Sequence, residues 1–178
     1  MLQARNTGFS VLELLIVLAI GLVIAVLAIP SLTETLALYR VSADAKLLGQ
    51  DLMVAKMRAG TNFTKERLNA NTAANTYQLE QYDKTGLTLD PDGETKYLSS
   101  GVSFGFGSIS TPAGSQSSIA QSAVVTFNSR GIPVNGSNQA TPEDALYIRN
   151  ATGYYAVSVA LSGRVQVWKY VNSGWVGQ

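Results

Sequence analysis

Residues 9–29 read FSVLELLIVLAIGLVIAVLAI, and this apolar run decides how the rest of the chain is organised. About 21 residues of α-helix span about 32 Å, close to the roughly 30 Å of a bilayer's hydrocarbon core. The run therefore has the length and composition of a membrane-spanning helix. It carries one carboxylate, Glu13, and a charge at mid-membrane costs about 2.5–3.5 kcal/mol even on lenient insertion scales.

Glu13 admits two explanations. It lies four residues after the start of the run, so its carboxylate can reach the membrane interface and stay in water. Alternatively, a cation meets the carboxylate inside the apolar layer and offsets the cost of its charge. The residues that precede the run favour the second explanation.

These preceding residues are MLQARNTG, a short polar stretch with one positive charge at Arg5. A secretory signal peptide places its small-residue cleavage site after the apolar core, but here the small residue, Gly8, lies before it. Cleavage between Gly8 and Phe9 would keep the apolar helix and create a new amine at Phe9. That amine is a cation able to neutralise Glu13 of the same chain or of a neighbouring one.

Residues 8–17, GFSVLELLIV, resemble the class III signal of type IV pilins and type II secretion pseudopilins. The resemblance lies in a glycine, an aromatic residue, an acid and an apolar run in fixed order, and it covers roughly the first quarter of the chain. It implies that a prepilin peptidase cuts after Gly8 and that the new N-terminal Phe9 is methylated. It also implies that Glu13 pairs with the N-terminal amine of an adjacent subunit during assembly. Pro30 lies where the family usually has a proline.

The same resemblance implies partners and a location. The partners are other pilin or pseudopilin subunits in a homo- or heteropolymer, the prepilin peptidase and an inner-membrane assembly platform. The chain would lie in the bacterial inner membrane before assembly, with its head exported. After assembly it would belong to a periplasmic pseudopilus or an extracellular pilus.

The composition argues against several other classes of function. A chain of 178 residues fits one globular domain and a helical anchor. Its formal net charge of +1 gives no general attraction to nucleic acid or acidic lipid. It has no cysteine, so the exported head holds together without disulfides, and no histidine, which removes the commonest general base and metal ligand. We expect no enzyme activity, no cofactor and no metal site.

Two acidic groups are interpreted as turn residues. Asp90, Asp92 and Glu94 belong to the sequence DPDGE, which lacks the ligand pattern of a twelve-residue calcium loop. Glu143 and Asp144 follow Pro142 in a polar stretch. Acidic residues beside proline and glycine are typical of solvated turns.

The helical pattern continues beyond the apolar run to about residue 60. Apolar residues recur at spacings typical of one helix face: Leu32, Leu36, Tyr39, Ala43, Leu47, Leu48, Leu52, Ala55 and Ala59. Charged residues of both signs lie between them, Asp44 and Asp51 included, and predict an exposed polar face. Gly60 predicts the helix end. We expect one helix of about 50 residues, whose amphipathic second half packs on the chain's own sheet.

Gly21 and Pro30 are the expected points of flexibility in this helix. Proline removes a backbone hydrogen bond and clashes with the preceding turn, and glycine costs about 1 kcal/mol relative to alanine. The sequence permits two outcomes, a gentle kink near Pro30 or local melting between the two residues on leaving the membrane. Local melting resembles what assembled filaments of the family show.

After residue 60, short β-like segments alternate with turn residues. Strands are expected at 77–82, 87–89, 102–106, 123–127, 146–149, 154–161 and 164–171. Ser162 and Gly163 predict a two-residue hairpin loop between the last two. Residues 69–75 are expected to form a loop, and the Gly- and Ser-rich residues 107–118 a mobile one.

These elements predict an α+β fold in which a long N-terminal helix packs on an antiparallel sheet head, the pilin fold that the resemblance implies. The expected segments are a leader peptide at residues 1–8 and a transmembrane or filament-core helix at 9–30. An amphipathic helix at 31–60 and a β-rich globular head at 61–178 follow.

Three segments of the head resemble GspH/FimT/FimU-type proteins. They are DLMVAKMRA at 51–59, VTFNSRGIP at 125–133, and VSV at 157–159 with SGRV at 162–165. This resemblance implies a minor pilin of a type IV pilus or a minor pseudopilin of type II secretion. Such subunits help to start or cap the filament.

Two alternative functions remain open. The same N-terminus would serve a major subunit of a pilus-like surface filament. The other alternative is DNA capture at a pilus tip, since FimT-like proteins that bind DNA carry a basic GRxR-type motif near the C-terminus. Here GRVQ at 163–166 has the first arginine and lacks the second. The candidate contacts are Arg149, Arg164 and Lys169, and the near-zero net charge makes DNA the weaker hypothesis.

Overall fold

The computed structural model describes residues 9–85 and 88–178. The chain divides into two compact units, of which the first ends at Leu36 and the second is Ala37–Gln178. The predicted fold class is confirmed, because one long N-terminal helix precedes an antiparallel β domain and packs on it. The predicted leader at 1–8, including Gly8, lies outside the described residues. So do residue 86 and the first residue, 87, of the predicted strand 87–89.

Helix α1 comprises Val11–Thr61. The helix continues one residue past Gly60, which the sequence suggested as its end. The backbone leaves the helical conformation at Phe63, not at the glycine. Phe63 has a φ of 49°, in the left-handed region, and the Thr64 amide donates to the Ala59 carbonyl at 3.1 Å. This hydrogen bond satisfies a carbonyl of the last helical turn, as in common helix C-caps.

The strands form two antiparallel sheets in the second unit. The strands in chain order are β1 Glu66–Asn71, β2 Thr76–Tyr82, β3 Leu89–Pro91, β4 Lys96–Tyr97, β5 Ser103–Phe104, β6 Val124–Phe127, β7 Pro133–Val134, β8 Asp144–Arg149, β9 Tyr154–Val159, β10 Val165–Val171 and β11 Gly174–Gly177. The six-stranded sheet has the order β3-β2-β1-β6-β7, with β4 also paired to β2, and the five-stranded sheet has the order β11-β10-β9-β8-β5.

The main core lies between α1 and the inner faces of both sheets. The buried helix residues recur at spacings of three and four, as one helix face requires: Val41, Ala45, Leu48, Leu52, Ala55 and Ala59. They pack against buried strand residues such as Leu68, Phe127 and Val157. The predicted stripe was therefore right at its C-terminal end and wrong earlier, since Tyr39 and Leu47 are 72% and 50% exposed.

Two aspartates predicted on the polar face of α1 are buried instead. The Asp44 carboxylate accepts hydrogen bonds from the backbone amide and hydroxyl of Ser99, at 2.8 and 2.9 Å. The Asp51 carboxylate accepts from the Tyr77 hydroxyl at 2.8 Å and from Lys96 Nζ at 2.6 Å. Both acids thus tie the helix to the β-rich part of this unit, so their desolvation is offset by hydrogen bonds.

Residues 107–118, predicted to be a mobile loop, contain buried residues that cover the outer face of the five-stranded sheet. Ala113 is fully buried with Ala145, Tyr147 and Ala156 in a second core cluster. A Cβ added at Gly114 would lie 2.4 Å from Ser158 Oγ. The glycine allows this segment to approach the sheet closely at this point, and the mobility of the rest of the loop stays a prediction.

Two further local predictions were wrong. Residues 69–71 belong to β1 rather than to a loop, and they pair with β2 in register. The loop between β9 and β10 has three central residues rather than two, because the Ala160 amide donates to the Arg164 carbonyl at 2.9 Å and the Gly163 amide to the Ala160 carbonyl at 2.7 Å. Gly163 takes the left-handed position of this loop, with a φ of 72°.

Candidate assembly surface

The first unit presents an exposed apolar helix. Of residues 9–36, every side chain whose burial is described is exposed, from Phe9 at 80% to Leu36 at 48%. Glu13 and Glu34 are its only charged residues. It belongs to the one helix among the described residues that is long and apolar enough to cross a membrane. Such a surface needs a cover of lipid or other apolar helices.

The start of the helix is organised by Ser10. Its hydroxyl oxygen accepts a hydrogen bond from the Leu12 amide at 3.3 Å, as an N-cap residue does. Glu13 then lies in the first turn, where a negative charge interacts favourably with the helix dipole. Within residues 9–85 and 88–178, the Glu13 carboxylate forms no ion pair. The Glu13 side chain is exposed, so a cation from outside the described residues can approach it.

The two predicted points of flexibility lie within an unbroken α-helix, since α1 is helical on both sides of Gly21 and Pro30. A Cβ added at Gly21 would meet nothing within 4 Å. Packing within the described chain therefore does not require glycine at this position. Its role as a flexible point stays a prediction.

The three candidate DNA contacts are not gathered at one place. Directly paired residues of neighbouring strands project from the same face of a sheet, whereas successive residues along one strand project from opposite faces. Lys169 pairs with Tyr155, which belongs to the main core, whereas Arg149 pairs with Tyr154 on the opposite face. Arg164 lies in the loop at the far end of β10 from Lys169.

Two of the three acidic residues of the DPDGE segment, Asp90 and Asp92, have partners within the β-rich unit. Asp92 forms an ion pair with Arg58 of the last turn of α1. Asp90 belongs to β3, where it pairs with Gln81. Among the described residues, no group of three or more acidic side chains is placed to hold a metal ion.

Three cations from separate segments form a group that the sequence pattern does not predict. Lys65, Lys84 and Arg130 line one cleft beside Tyr82 and the exposed ring of Phe63. No motif marks this group, because its members follow α1, β2 and β6 respectively and meet only in the folded chain.

Comparison with solved structures finds chains of similar fold. This chain is similar to a minor pseudopilin and a minor pilin. For EpsH from the type 2 secretion system of Vibrio cholerae, the identity is 14%, the TM-score 0.49, and the match covers 72% of this chain and 95% of that one. For the type IV minor pilin FimU of Pseudomonas aeruginosa, the identity is 11% and the TM-score is 0.49, and the match covers 76% of this chain and 92% of that one.

A crystal structure of EpsH also matches, with 12% identity and a TM-score of 0.49, and the match covers 72% of this chain and 92% of that one. No protein-family model and no curated protein matches the chain. At these identities and TM-scores, the likeness to solved structures carries no inference about the function of this chain.

Proposed function

We propose that this chain is a structural subunit of a type IV pilus-like or type II secretion pseudopilus filament, and a minor, initiating or tip subunit of it. The observation that carries the proposal is the exposed apolar helix of residues 9–36, with Glu13 in its first turn. The minor role is supported by the head segments that resemble GspH/FimT/FimU-type proteins, and a major subunit is the alternative.

The exposed helix is suited to two apolar environments in succession. Burying one large apolar side chain contributes roughly 1.5–3 kcal/mol, so the helix is stable in lipid before assembly and against neighbouring helices afterwards. Transfer between these environments changes apolar burial little, since lipid tails and apolar side chains are alike. Polar contacts are then left to determine how neighbouring helices align.

Glu13 supplies such a contact. In the proposed processing, the prepilin peptidase cuts between Gly8 and Phe9 and methylates the new amine, which stays positively charged. This amine pairs with Glu13 of a neighbouring subunit on the assembly platform of the inner membrane. The pair places a charge of each sign in an apolar layer, where a misaligned neighbour would leave both without a partner. The head stays outside the membrane throughout.

The test compares Glu13→Gln with Glu34→Gln, the other acid of the exposed helix. Removing one partner of a buried ion pair costs about 3–5 kcal/mol, so Glu13→Gln is expected to reduce incorporation into filaments by at least about tenfold. Glu34→Gln should leave incorporation near the wild-type level. Both variants should reach wild-type amounts in the membrane, which separates an assembly defect from poor expression. Wild-type incorporation of Glu13→Gln would contradict the proposed pairing.

A further inference from the structure

A second surface, on the β-rich unit, has the features of a binding site. It is a cleft of about 460 Å³, within the range of small-molecule sites. The loop after α1, the end of β2 and the turn after β6 converge here. Its lining includes Phe63, Thr64, Lys65, Tyr82, Lys84 and Arg130. We refer to it as the cationic cleft.

All charged side chains that line the cationic cleft are positive. Lys65, Lys84 and Arg130 line it, and no carboxylate does. Among the described residues, none of the three forms an ion pair. Lys65 Nζ lies 5.9 Å from the centre of the Tyr82 ring, and Lys84 Nζ donates to the Asn62 carbonyl at 3.2 Å. Three positive side chains thus line one cleft that has no carboxylate in its lining, an arrangement that favours an anion.

The cleft also exposes an aromatic ring. Phe63 is 77% exposed, and its φ of 49° belongs to the turn that ends α1. An exposed aromatic face can pack against the face of a sugar ring or a base.

An adjacent cleft limits how far an anionic ligand can extend. This second cleft shares Thr64, Tyr82 and Lys84 with the cationic cleft, but Asp83, Asp90 and Asp92 line it as well. Asp92 is paired with Arg58, so a long polyanion that continued past Lys84 would be repelled mainly by the Asp90 carboxylate. A compact anion avoids this repulsion.

We propose that the cationic cleft binds a compact phosphate-bearing ligand whose phosphate contacts Lys65, Lys84 and Arg130 and whose ring stacks on Phe63. A phosphate monoester carries nearly two negative charges at neutral pH, which matches three cations better than a single carboxylate does. Arginine and lysine donate strong charge-assisted hydrogen bonds to phosphate oxygens. Two sources supply this chemistry, a sugar phosphate and a nucleotide.

The test is titration calorimetry on the full chain in detergent micelles. The probes are glucose 1-phosphate and adenosine monophosphate for the two sources, inorganic phosphate without a ring, and glucose and adenosine without a phosphate. At least one of the ring phosphates should bind saturably, and it then identifies the source. The neutral compounds and inorganic phosphate should each bind at least about tenfold more weakly.

Single substitutions assign the contacts. Arg130→Ala should weaken binding of the ring phosphate about tenfold, whereas Arg149→Ala, which removes an exposed arginine of the other sheet, should leave it unchanged. Phe63→Ala should weaken the ring phosphate but not inorganic phosphate. Both Phe63 and Arg130 are exposed, so these substitutions should leave the fold intact.

Three results would overturn the proposal. The first is the absence of saturable binding by either ring phosphate. The second is an equal loss of binding in Arg149→Ala and Arg130→Ala, since this would show unspecific attraction. The third is binding of a single-stranded oligonucleotide at least about tenfold tighter than adenosine monophosphate, since an extended polyanion would then be the ligand.

Discussion

Replacing Glu66 with glutamine is expected to make the folded head more stable at neutral and alkaline pH. Glu66 is the first residue of β1 and is fully buried. Neither of its carboxylate oxygens has a hydrogen-bond partner among the described residues. Burial, and secondarily the nearby Asp92 carboxylate, raises the pKa of Glu66 from 4.5 to about 8, while Arg58 opposes the shift. The folded chain therefore holds a proton here that the unfolded chain has lost.

The size of the effect follows from proton linkage. Below pH 4.5 the carboxyl is protonated in both states and contributes no pH dependence. As the pH rises from 4.5 to about 8, the unfolded state ionises first, and the folded state loses about 1.4 kcal/mol of relative stability per pH unit. The total loss is about 5 kcal/mol, of which about 3 kcal/mol has occurred by pH 7. Glutamine has nearly the same shape and does not titrate.

The assay is urea unfolding of the full chain in detergent micelles at pH 4.5, 7 and 9. Glu66→Gln should match the wild type at pH 4.5 and exceed its free energy of unfolding by up to about 3 kcal/mol at pH 7 and about 5 kcal/mol at pH 9. Glu94→Gln, at an exposed acid, should differ little at any pH. Burial also raises the pKa of Asp144, from 3.8 to about 6. The pH dependence of stability that Asp144 causes is therefore the same in the wild type and in both variants. A pH-independent difference between Glu66→Gln and the wild type would refute the reasoning.

Two matched pairs of substitutions test the packing of the head by the same unfolding assay. Leu48→Ala truncates a fully buried side chain, leaves a cavity and should lower the free energy of unfolding by about 2–5 kcal/mol. Leu47→Ala, at a residue that is 50% exposed, should change it by no more than about 0.5 kcal/mol. Equal losses at the two neighbours would show that the helix face is misplaced. Gly163→Ala puts a Cβ 2.1 Å from the Gly131 carbonyl oxygen at a φ of +72° and should cost more than about 1 kcal/mol. Gly136→Ala, where nothing lies within 4 Å of the added Cβ, serves as its control, and an unchanged stability of Gly163→Ala would mean that the loop adopts another conformation.

The helix and fold class could be predicted because their signals are local and long. Residues 9–29 are apolar without interruption, and the alternating segments around β2, β6 and β9 carry the period of a strand. Residues 69–71 were missed because asparagine is typical of loops. In β1, however, Asn69 occupies an outer position beside the buried Leu68 and Ala70, and its amide donates to Glu80 Oε1 at 2.8 Å.

The remaining features depend on contacts between distant segments, which no local pattern reports. Asp44 and Asp51 had the spacing of an exposed face, and their partners Ser99, Tyr77 and Lys96 lie 26 to 55 residues away. The burial of Ala113 and Gln116 likewise depends on Tyr147 of β8, a strand that comes later in the chain. The cationic cleft is another case, since its three cations come from three different turns.

The most direct test of the proposed filament role is mass spectrometry of filaments sheared or purified from the source cells. The proposal predicts that the chain is present in this material, that it begins at Phe9 and that it carries one additional methyl group. It also predicts a trace amount beside a more abundant subunit, because we propose a minor role; a dominant amount would show a major pilin. If the chain is absent from filaments and retains residues 1–8 in the membrane, it is not an assembled subunit, and the proposed function is wrong.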